Sequence, residues 1–270
     1  MTDTGEAPVL LTRDTDRVRV ITFNRPDAAN AFNEKLYHEV ANALRAAAAD
    51  DGVSVVVLTG AGRTFCGGTD LREMANAVPD EHPADASAQD TTAPGPDSSR
   101  GFASFVDALS TFPKPLLAAV NGAGVGLGLT MLAHCDIVIV SERAKLLAPF
   151  TAMGVAPEAG SSYLLPRRMG RQDAAHYLFA SEWIDADAAV ASGLALKMCA
   201  ADALLDDTLA LAKKIASKSL PSLIATKRLL LEPERDGLAA ARAREGEAFG
   251  ELLRLPGARD GVENQLRKDR

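Results

Sequence analysis

The chain has 270 residues, and its 36 acidic side chains outnumber its 29 basic ones, which gives a net charge of −7 at pH 7. Because proteins that bind nucleic acid electrostatically need an excess of positive charge, this balance argues against that class of partner. The 47% of hydrophobic and 24% of charged residues are typical of a globular domain with a buried core.

The amino-terminal residues 1–8 have neither the basic segment nor the apolar core of a signal peptide. No apolar run reaches the roughly 18 residues that a membrane-spanning helix needs. The three cysteines, Cys66, Cys135 and Cys199, are far apart and odd in number, which favours free thiols in a reducing compartment. No spacing of Cys and His resembles a zinc site. These features predict a cytoplasmic protein without a bound metal or a membrane partner.

The first predicted elements are a strand and a helix. Residues 18–23 alternate in polarity and carry β-branched side chains, and residues 24–26 (Asn-Arg-Pro) end the pattern. They predict a half-exposed strand that follows a polar lead-in. Asn33 then caps a segment in which apolar side chains recur at helical spacing over residues 36–47.

Three later segments predict buried strands, namely residues 53–58, 116–120 and 137–140. Each is almost wholly apolar, and helical patterns separate them. Strands that are apolar on both faces are typical of a parallel sheet covered by helices on both sides. The sequence therefore predicts an α/β fold.

Residues 76–100 differ from the rest because they are rich in acid, proline and small polar residues. Such a segment cannot bury enough surface to offset the entropy lost on ordering, so it predicts either a mobile lid or a disordered loop. From Pro157 onward the pattern is almost wholly helical. We expect residues 1–200 to form the core and residues 201–270 to form a helical cap or oligomerisation layer.

Two glycine-rich turns follow apolar strands, one at residues 60–71 and one at residues 121–130. The second matches neither the dinucleotide-binding spacing nor a phosphate-binding loop with its lysine. One interpretation is that the glycines only let a helix lie close to the sheet. The other is that the two turns direct one backbone N–H each at a shared point. Two converging donors form an oxyanion hole, which stabilises negative charge that develops on a carbonyl oxygen.

Four segments, at residues 21–33, 62–71, 119–128 and 135–138, resemble in order the signature motifs of the crotonase (enoyl-CoA hydratase/isomerase) superfamily. The resemblance runs from about residue 16 to the carboxyl terminus. It implies a crotonase-like spiral of ββα turns with a carboxyl-terminal helical region that covers the active site and forms trimers or dimers of trimers. It also implies an acyl-CoA thioester as substrate, with no metal or redox cofactor.

The resemblance also implies the residues of the site. The oxyanion donors are the backbone N–H groups of Thr69 and Leu127, by their positions in the motifs. Asp70 is expected to stabilise the first turn, and Arg72 to lie near the CoA phosphates. The full set of implied contacts to substrate or CoA is Ala28, Asn30, Cys66, Gly67, Asp70, Leu71, Arg72, Gly126 and Phe150.

The hydratases of this family have two catalytic glutamates. This chain departs from that pattern at both positions. Thr130 and Phe150 occupy those two positions, and neither side chain can act as an acid or a base in hydration. Residues 153–163 instead resemble the branch of Δ3,Δ2-enoyl-CoA isomerases. In that branch Glu158 corresponds to the sole base, and Ala159 replaces the usual glycine.

One carboxylate suffices to move a double bond, because the same group removes a proton from C2 and returns it to C4 of a dienolate. Apolar neighbours, among them Met153 and Val155, are expected to raise the pKa of Glu158 towards neutrality. Three alternatives stay open: Glu158 only caps the following helix, the enzyme is a hydratase of broad or weak activity, or the protein binds acyl-CoA without turnover.

Overall fold

The computed structural model describes residues 7–70 and 97–255. In chain order its strands are β1 (Leu10–Thr15), β2 (Val18–Phe23), β3 (Val55–Gly60), β4 (Thr64–Cys66), β5 (Leu116–Val120), β6 (Ala123–Val125), β7 (Ile137–Ser141), β8 (Lys145–Leu147), β9 (Ile184–Asp185) and β10 (Lys197–Cys199). Its α-helices are α1 (Glu34–Ala49), α2 (Asp97–Ser110), α3 (Leu127–Thr130), α4 (Ser161–Ala180), α5 (Ala186–Ala191), α6 (Leu204–Ala216), α7 (Leu220–Leu231) and α8 (Arg235–Leu253). Short 3-10 helices cover Pro26–Ala28, Met131–His134 and Glu232–Glu234.

The strands form two sheets that the chain visits alternately. The larger sheet has the order β1-β2-β3-β5-β7-β10, and the smaller one has the order β4-β6-β8-β9. Successive strand pairs, β3 with β4, β5 with β6 and β7 with β8, therefore place one strand in each sheet. Within the larger sheet every pairing from β2 to β10 is parallel. This arrangement confirms the expected spiral of ββα turns.

The larger sheet is covered on both faces, as its apolar strands predict. Alternate residues of one strand point to opposite faces, so Val56 and Leu58 join the core that contains α1 and α2. Val55 and Val57 instead pack against Leu209 and neighbouring residues of α6. The helix after Asn33 is also confirmed, and the Asn33 side chain accepts a hydrogen bond of 3.0 Å from the amide of Leu36.

The edge of the larger sheet formed by the amino-terminal residues differs from the sequence-based prediction. The polar lead-in forms the edge strand β1, which pairs antiparallel with β2. As a result β2 has a partner on each side and is mostly buried, where a half-exposed strand was expected. The sequence pattern missed β1 because a solvated edge strand needs few apolar residues.

The carboxyl-terminal region is helical, as expected. Lys227 of α7 is buried and donates to Asp136 at 2.8 Å and to the carbonyl of Lys114 at 2.8 Å, which fixes α7 against the strand ends. On the same helix Leu229 and Leu230 are each 66% exposed. In residues 7–70 and 97–255 no helix is long and apolar enough to cross a membrane.

The segment predicted as a lid or loop falls largely on residues outside the described ranges. Residues 97–100 of that segment form the first turn of α2. The remainder, residues 76–96, is not described, so its role stays a prediction.

Candidate active site

The first of the two predicted oxyanion turns follows β4 and carries Thr69. A parallel bridge joins Thr69 to Phe32, through bonds from the Phe32 amide to the Gly68 carbonyl (2.7 Å) and from the Asp70 amide to the Phe32 carbonyl (2.9 Å). In such a bridge the amide of the central residue points away from the neighbouring strand. The Thr69 N–H accordingly donates to no backbone group in the described part of the chain. It is free to bind an external oxygen.

The second predicted oxyanion turn places Leu127 at the first position of α3. Gly126 precedes it with a φ of 52°, which is in the left-handed region that favours glycine. The first amides of a helix have no acceptor within the helix, and the Leu127 N–H donates to no backbone group among the described residues. Both predicted donors are therefore available.

Close backbone contacts bring the two turns together. A Cβ atom on Gly128 would lie 2.3 Å from the Cys66 carbonyl oxygen, so α3 rests directly on the end of β4. A Cβ atom on Gly68 would lie 3.9 Å from the Leu127 nitrogen. These contacts agree with the first interpretation of the glycines, close packing of α3, and they bring the turn that contains Gly68 next to the turn that contains Leu127. The interpretation of the two turns as an oxyanion hole stays a prediction.

Glu158 lies against α3, where its carboxylate meets the hydroxyl of Thr130. The Thr130 Oγ1 donates to Glu158 Oε1 at 2.6 Å, and Thr130 is fully buried. The second oxygen, Oε2, is also buried and has no hydrogen-bond partner among the described residues. A buried carboxyl oxygen without a partner is costly unless it is protonated or meets a ligand.

Burial raises the pKa of Glu158 to about 8. The hydrogen bond from Thr130 acts in the opposite direction, and the negative charge of Glu245 raises the pKa further. A carboxyl group with a pKa near neutrality can both accept and return a proton at physiological pH. The expectation that the surroundings would shift Glu158 towards neutrality agrees with this result.

The alternative that the Glu158 side chain only caps the following helix is not supported by the geometry, because the Ser161 amide donates to the backbone carbonyl of Glu158 (3.1 Å) and not to its carboxylate. Helix α4 begins at Ser161, and its N-cap residue is Gly160. The side chain that accepts from its first amides belongs to Glu245, which bonds to the amides of Gly160 (2.6 Å) and Ser162 (2.8 Å). The Glu158 side chain is thus left for the site.

Tyr37 is a site residue that sequence reasoning missed. Its hydroxyl lies 2.9 Å from the Thr69 Oγ1, and its ring packs against Phe32 and Phe105 in the core. Burial raises the pKa of Tyr37 well above its ordinary value, so the hydroxyl stays neutral. The available signal was a tyrosine inside the apolar stripe of α1, because a buried tyrosine hydroxyl usually finds a polar partner.

Comparison with known proteins agrees with this geometry. The family described as enoyl-CoA hydratase/isomerase matches residues 13–268. The chain is 34% identical to the 2,3-dehydroadipyl-CoA hydratase of Escherichia coli over 96% of both proteins. It is 32% identical to human enoyl-CoA delta isomerase 2, covering 90% of this chain and 59% of the human protein.

A crystal structure of an enoyl-CoA hydratase/isomerase from Pseudoalteromonas atlantica superposes with a TM-score of 0.84 at 33% identity. The match covers 97% of this chain and 98% of that one. The chain belongs to the enoyl-CoA hydratase/isomerase family. Its relatives include both hydratases and isomerases by name. Membership therefore identifies the enzyme family, and the reaction must be inferred from the geometry of the site.

Two loops to which the family resemblance assigns CoA contacts adjoin each other, namely the turn with Ala28 and Asn30 and the loop with Gly67 after β4. The amide of Gly67 donates to the carbonyl of Ala29 at 2.8 Å, which joins the loop after β4 to the 3-10 turn that contains Ala28. The Asn30 side chain is fully engaged, since it donates to the carbonyls of Ala61 (2.9 Å) and Thr64 (2.7 Å). Any contact of Asn30 with CoA would therefore use its backbone.

The other predicted contacts have distinct surroundings. Asp70 forms an ion pair with Arg25 at 3.1 Å, which supports its expected role in stabilising the turn. Cys66 is buried, and burial raises the pKa of its thiol to about 12. Phe150 is buried after β8, whereas Leu71 and Arg72 lie outside the described residues. In the described ranges no group of three His, Cys, Asp or Glu side chains is arranged to hold a metal ion.

Proposed function

We propose that this enzyme is an enoyl-CoA isomerase that converts a 3-enoyl-CoA into its 2-trans isomer, with Glu158 as the only proton carrier. The observation that carries the proposal is the free, buried Oε2 of Glu158 beside a fully buried Thr130. Thr130 stands where the hydratases of the family have a glutamate. The site therefore has one carboxylate where hydration would use two.

The reaction needs one base and one oxyanion site. Glu158 removes a proton from C2, and the electrons move onto the thioester oxygen to form a planar dienolate. The amides of Thr69 and Leu127 donate to that oxygen and stabilise its charge. The protonated Glu158 then delivers the same proton to C4, so that the double bond moves from C3–C4 to C2–C3. The carboxylate is regenerated, and the reaction is balanced without a further reactant.

Hydration would impose a different demand on the same site. A water molecule must be activated by a base while a proton is delivered to carbon. The Thr130 hydroxyl already donates to Glu158, and Phe150 has no ionisable group. The arrangement thus favours isomerisation, although the relatives include hydratases.

The test compares two rates in the purified enzyme. We expect 3-enoyl-CoA to be isomerised at least about a hundredfold faster, by kcat/KM, than 2-trans-enoyl-CoA is hydrated, the difference that loss of one acid or base role produces. The two products are separated chromatographically at the same enzyme concentration. Faster hydration than isomerisation would assign the chain to the hydratases, and CoA-ester binding without either reaction would identify a non-catalytic protein.

The pH dependence tests the state of Glu158. Because the free enzyme must hold Glu158 ionised to accept the C2 proton, kcat/KM for isomerisation is expected to rise with pH and level off above about 8. Replacing Thr130 with valine removes a hydrogen bond that lowers this pKa, so the midpoint should move to higher pH. A profile that is flat between about pH 6 and pH 9 would contradict the assignment.

We also propose an acyl-CoA thioester as the small-molecule partner and a homo-oligomer, a trimer or dimer of trimers, as the assembly. The exposed Leu229 and Leu230 on α7 support self-association, because large apolar side chains side by side are commonly covered in an interface. The proposed isomerase reaction predicts a role in the oxidation of unsaturated fatty acyl chains, and the sequence features predict a cytoplasmic location. Both stay predictions.

A further inference from the structure

We propose that Glu245 of α8 is a positioning residue that holds the turn 158–160 in the conformation that presents the Glu158 carboxylate to substrate. This inference rests on the proposed function of Glu158. It concerns a residue that lies 85 positions from the turn in sequence and that no sequence motif pointed to.

The turn that carries Glu158 has an uncommon backbone. Ala159 has a φ of 58° and Gly160 a φ of 75°, so two consecutive residues are in the left-handed region. For a residue with a Cβ atom this region is unfavourable by roughly 1 to 3 kcal/mol, and it persists where surrounding contacts impose it. The alanine that replaces the family's usual glycine therefore keeps the turn but makes it dependent on those contacts.

Glu245 supplies the most direct of these contacts. Its Oε2 accepts from the Gly160 amide at 2.6 Å and its Oε1 accepts from the Ser162 amide at 2.8 Å, so both carboxyl oxygens are used. The residue is only 7% exposed. An ionised carboxylate at the first amides of α4 also interacts favourably with the helix dipole. Glu245 thus fixes the start of α4 and the end of the turn together.

Two further contacts hold the same turn. The His134 Nε2 lies 2.7 Å from the Ala159 carbonyl, and burial lowers the pKa of His134 to about 4, so the ring is neutral and donates. Leu238 of α8 covers Gly160 so closely that a Cβ atom there would lie 2.2 Å from its Cδ1. Helix α8 therefore acts on the turn through both Glu245 and Leu238.

The charges around Glu158 and Glu245 indicate a second effect of Glu245, which is on the pKa of Glu158. Tyr37 and Cys66 stay neutral because burial raises the pKa of each. Arg242, whose charge acts on Glu245, is ion-paired with Asp107 at 2.7 Å. Burial is the largest cause of the raised pKa of Glu158, and the negative charge of Glu245 raises that pKa further. Among the described residues, Tyr37, Cys66 and Thr130 interact with Glu158, Arg242 interacts with Glu245, and His134 bonds to the Ala159 carbonyl. Burial also raises the pKa of Glu245 itself.

The experiment replaces Glu245 with glutamine and uses Glu247→Gln, an exposed position on the same helix, as the matched control. Glutamine keeps the volume, loses the charge and cannot accept from both amides. We expect kcat for 3-enoyl-CoA isomerisation to fall roughly tenfold to a hundredfold with little change in KM, because the base is misplaced while the binding surface is kept. The control should match the wild type.

Two measurements do not depend on activity. The pKa of the Glu158 carboxyl, followed by carbon-13 NMR and assigned by its loss in Glu158→Gln, should decrease in Glu245→Gln. Hydrogen exchange at the amides of Gly160 and Ser162 should accelerate. Should Glu245→Gln fail to fold, Glu245→Asp replaces it: the charge is retained, so we expect lower kcat with the Glu158 pKa still raised.

The outcomes separate the two proposals. If Glu245→Gln equals Glu247→Gln in kcat, in the Glu158 pKa and in amide exchange, Glu245 has no positioning role. If instead Glu158→Gln itself retains isomerisation, the proposed function is wrong, while the exchange data still report whether Glu245 holds the turn.

Discussion

Replacing Glu158 with glutamine is expected to lower kcat for isomerisation by roughly two to four orders of magnitude, the range for loss of a positioned acid or base. The amide fills the same volume but cannot accept the C2 proton. The proposed oxyanion donors are the backbone amides of Thr69 and Leu127, so the substitution leaves them in place and the residual rate measures their contribution to catalysis. The assay is the conversion of 3-enoyl-CoA to its 2-trans isomer.

The matched control is Thr130→Val, which removes the hydroxyl that donates to Glu158 and keeps the carboxylate. Its cost in kcat should be far smaller than that of Glu158→Gln. Near-normal isomerisation in Glu158→Gln would show that another group carries the proton.

The stability of the Glu158→Gln variant provides a check that it is folded. Burial raises the pKa of Glu158 from 4.5 to about 8 in the folded protein, so folding disfavours the ionised form. Wild-type stability should therefore fall, relative to the variant, as pH rises from about 4.5 to about 8, by up to about 1.4 kcal/mol per pH unit. Urea unfolding at the two ends of this window measures the difference. The variant is expected to be the more stable protein at the alkaline end.

Replacing Gly128 with alanine is expected to lower kcat by roughly two to three orders of magnitude, the effect of losing one oxyanion donor. The new Cβ atom would lie 2.3 Å from the Cys66 carbonyl oxygen and 3.1 Å from its Cβ. Since the first of these contacts is with backbone, α3 must shift away from β4. The shift carries the Leu127 amide away from the Thr69 amide and separates the two donors.

Gly246→Ala is the control for this substitution, because Gly246 is exposed on α8 and, in the described part of the chain, an added Cβ would meet no atom within 4 Å apart from its chain neighbours and its own helix backbone. Alanine there should stabilise the helix by about 1 kcal/mol and leave kcat unchanged. The rates are compared at a temperature at which circular dichroism shows all proteins folded. A Gly128→Ala enzyme with nearly wild-type kcat would mean that α3 does not supply an oxyanion donor.

Local sequence predicted the parts of the site that depend on short segments. The two glycine-rich turns could be found because each needs glycines at particular positions after an apolar strand, whereas the resemblance to the family implied Thr69 and Leu127 within them. Glu158 was found through the motif around it. Neighbours along the chain favour the glycine-rich turns at Thr69 and Leu127, whereas the turn after Glu158 is also bonded by Glu245 from a distant helix.

Contacts between distant segments could not be found in this way. The bond between Thr130 and Glu158 joins residues 28 positions apart, that between Tyr37 and Thr69 joins residues 32 apart, and Glu245 reaches its turn across 85 positions. None of these pairs has a periodicity or spacing that distinguishes it from ordinary packing. The edge strand β1 was missed for a related reason, since its pairing with β2 makes it a strand.

The sequence by itself determined the α/β class, the covered parallel strands, the glycine turns and the candidate base, because apolar periodicity and backbone freedom are properties of local residues. Only the tertiary structure decided that the Glu158 side chain bonds to Thr130, while the side chain of Glu245 accepts at the start of α4. It also decided that the pKa of this carboxylate rises to about 8 and that Glu245 is bonded to the turn. The physical reason is that desolvation and hydrogen-bond partners depend on what the fold brings together from distant positions.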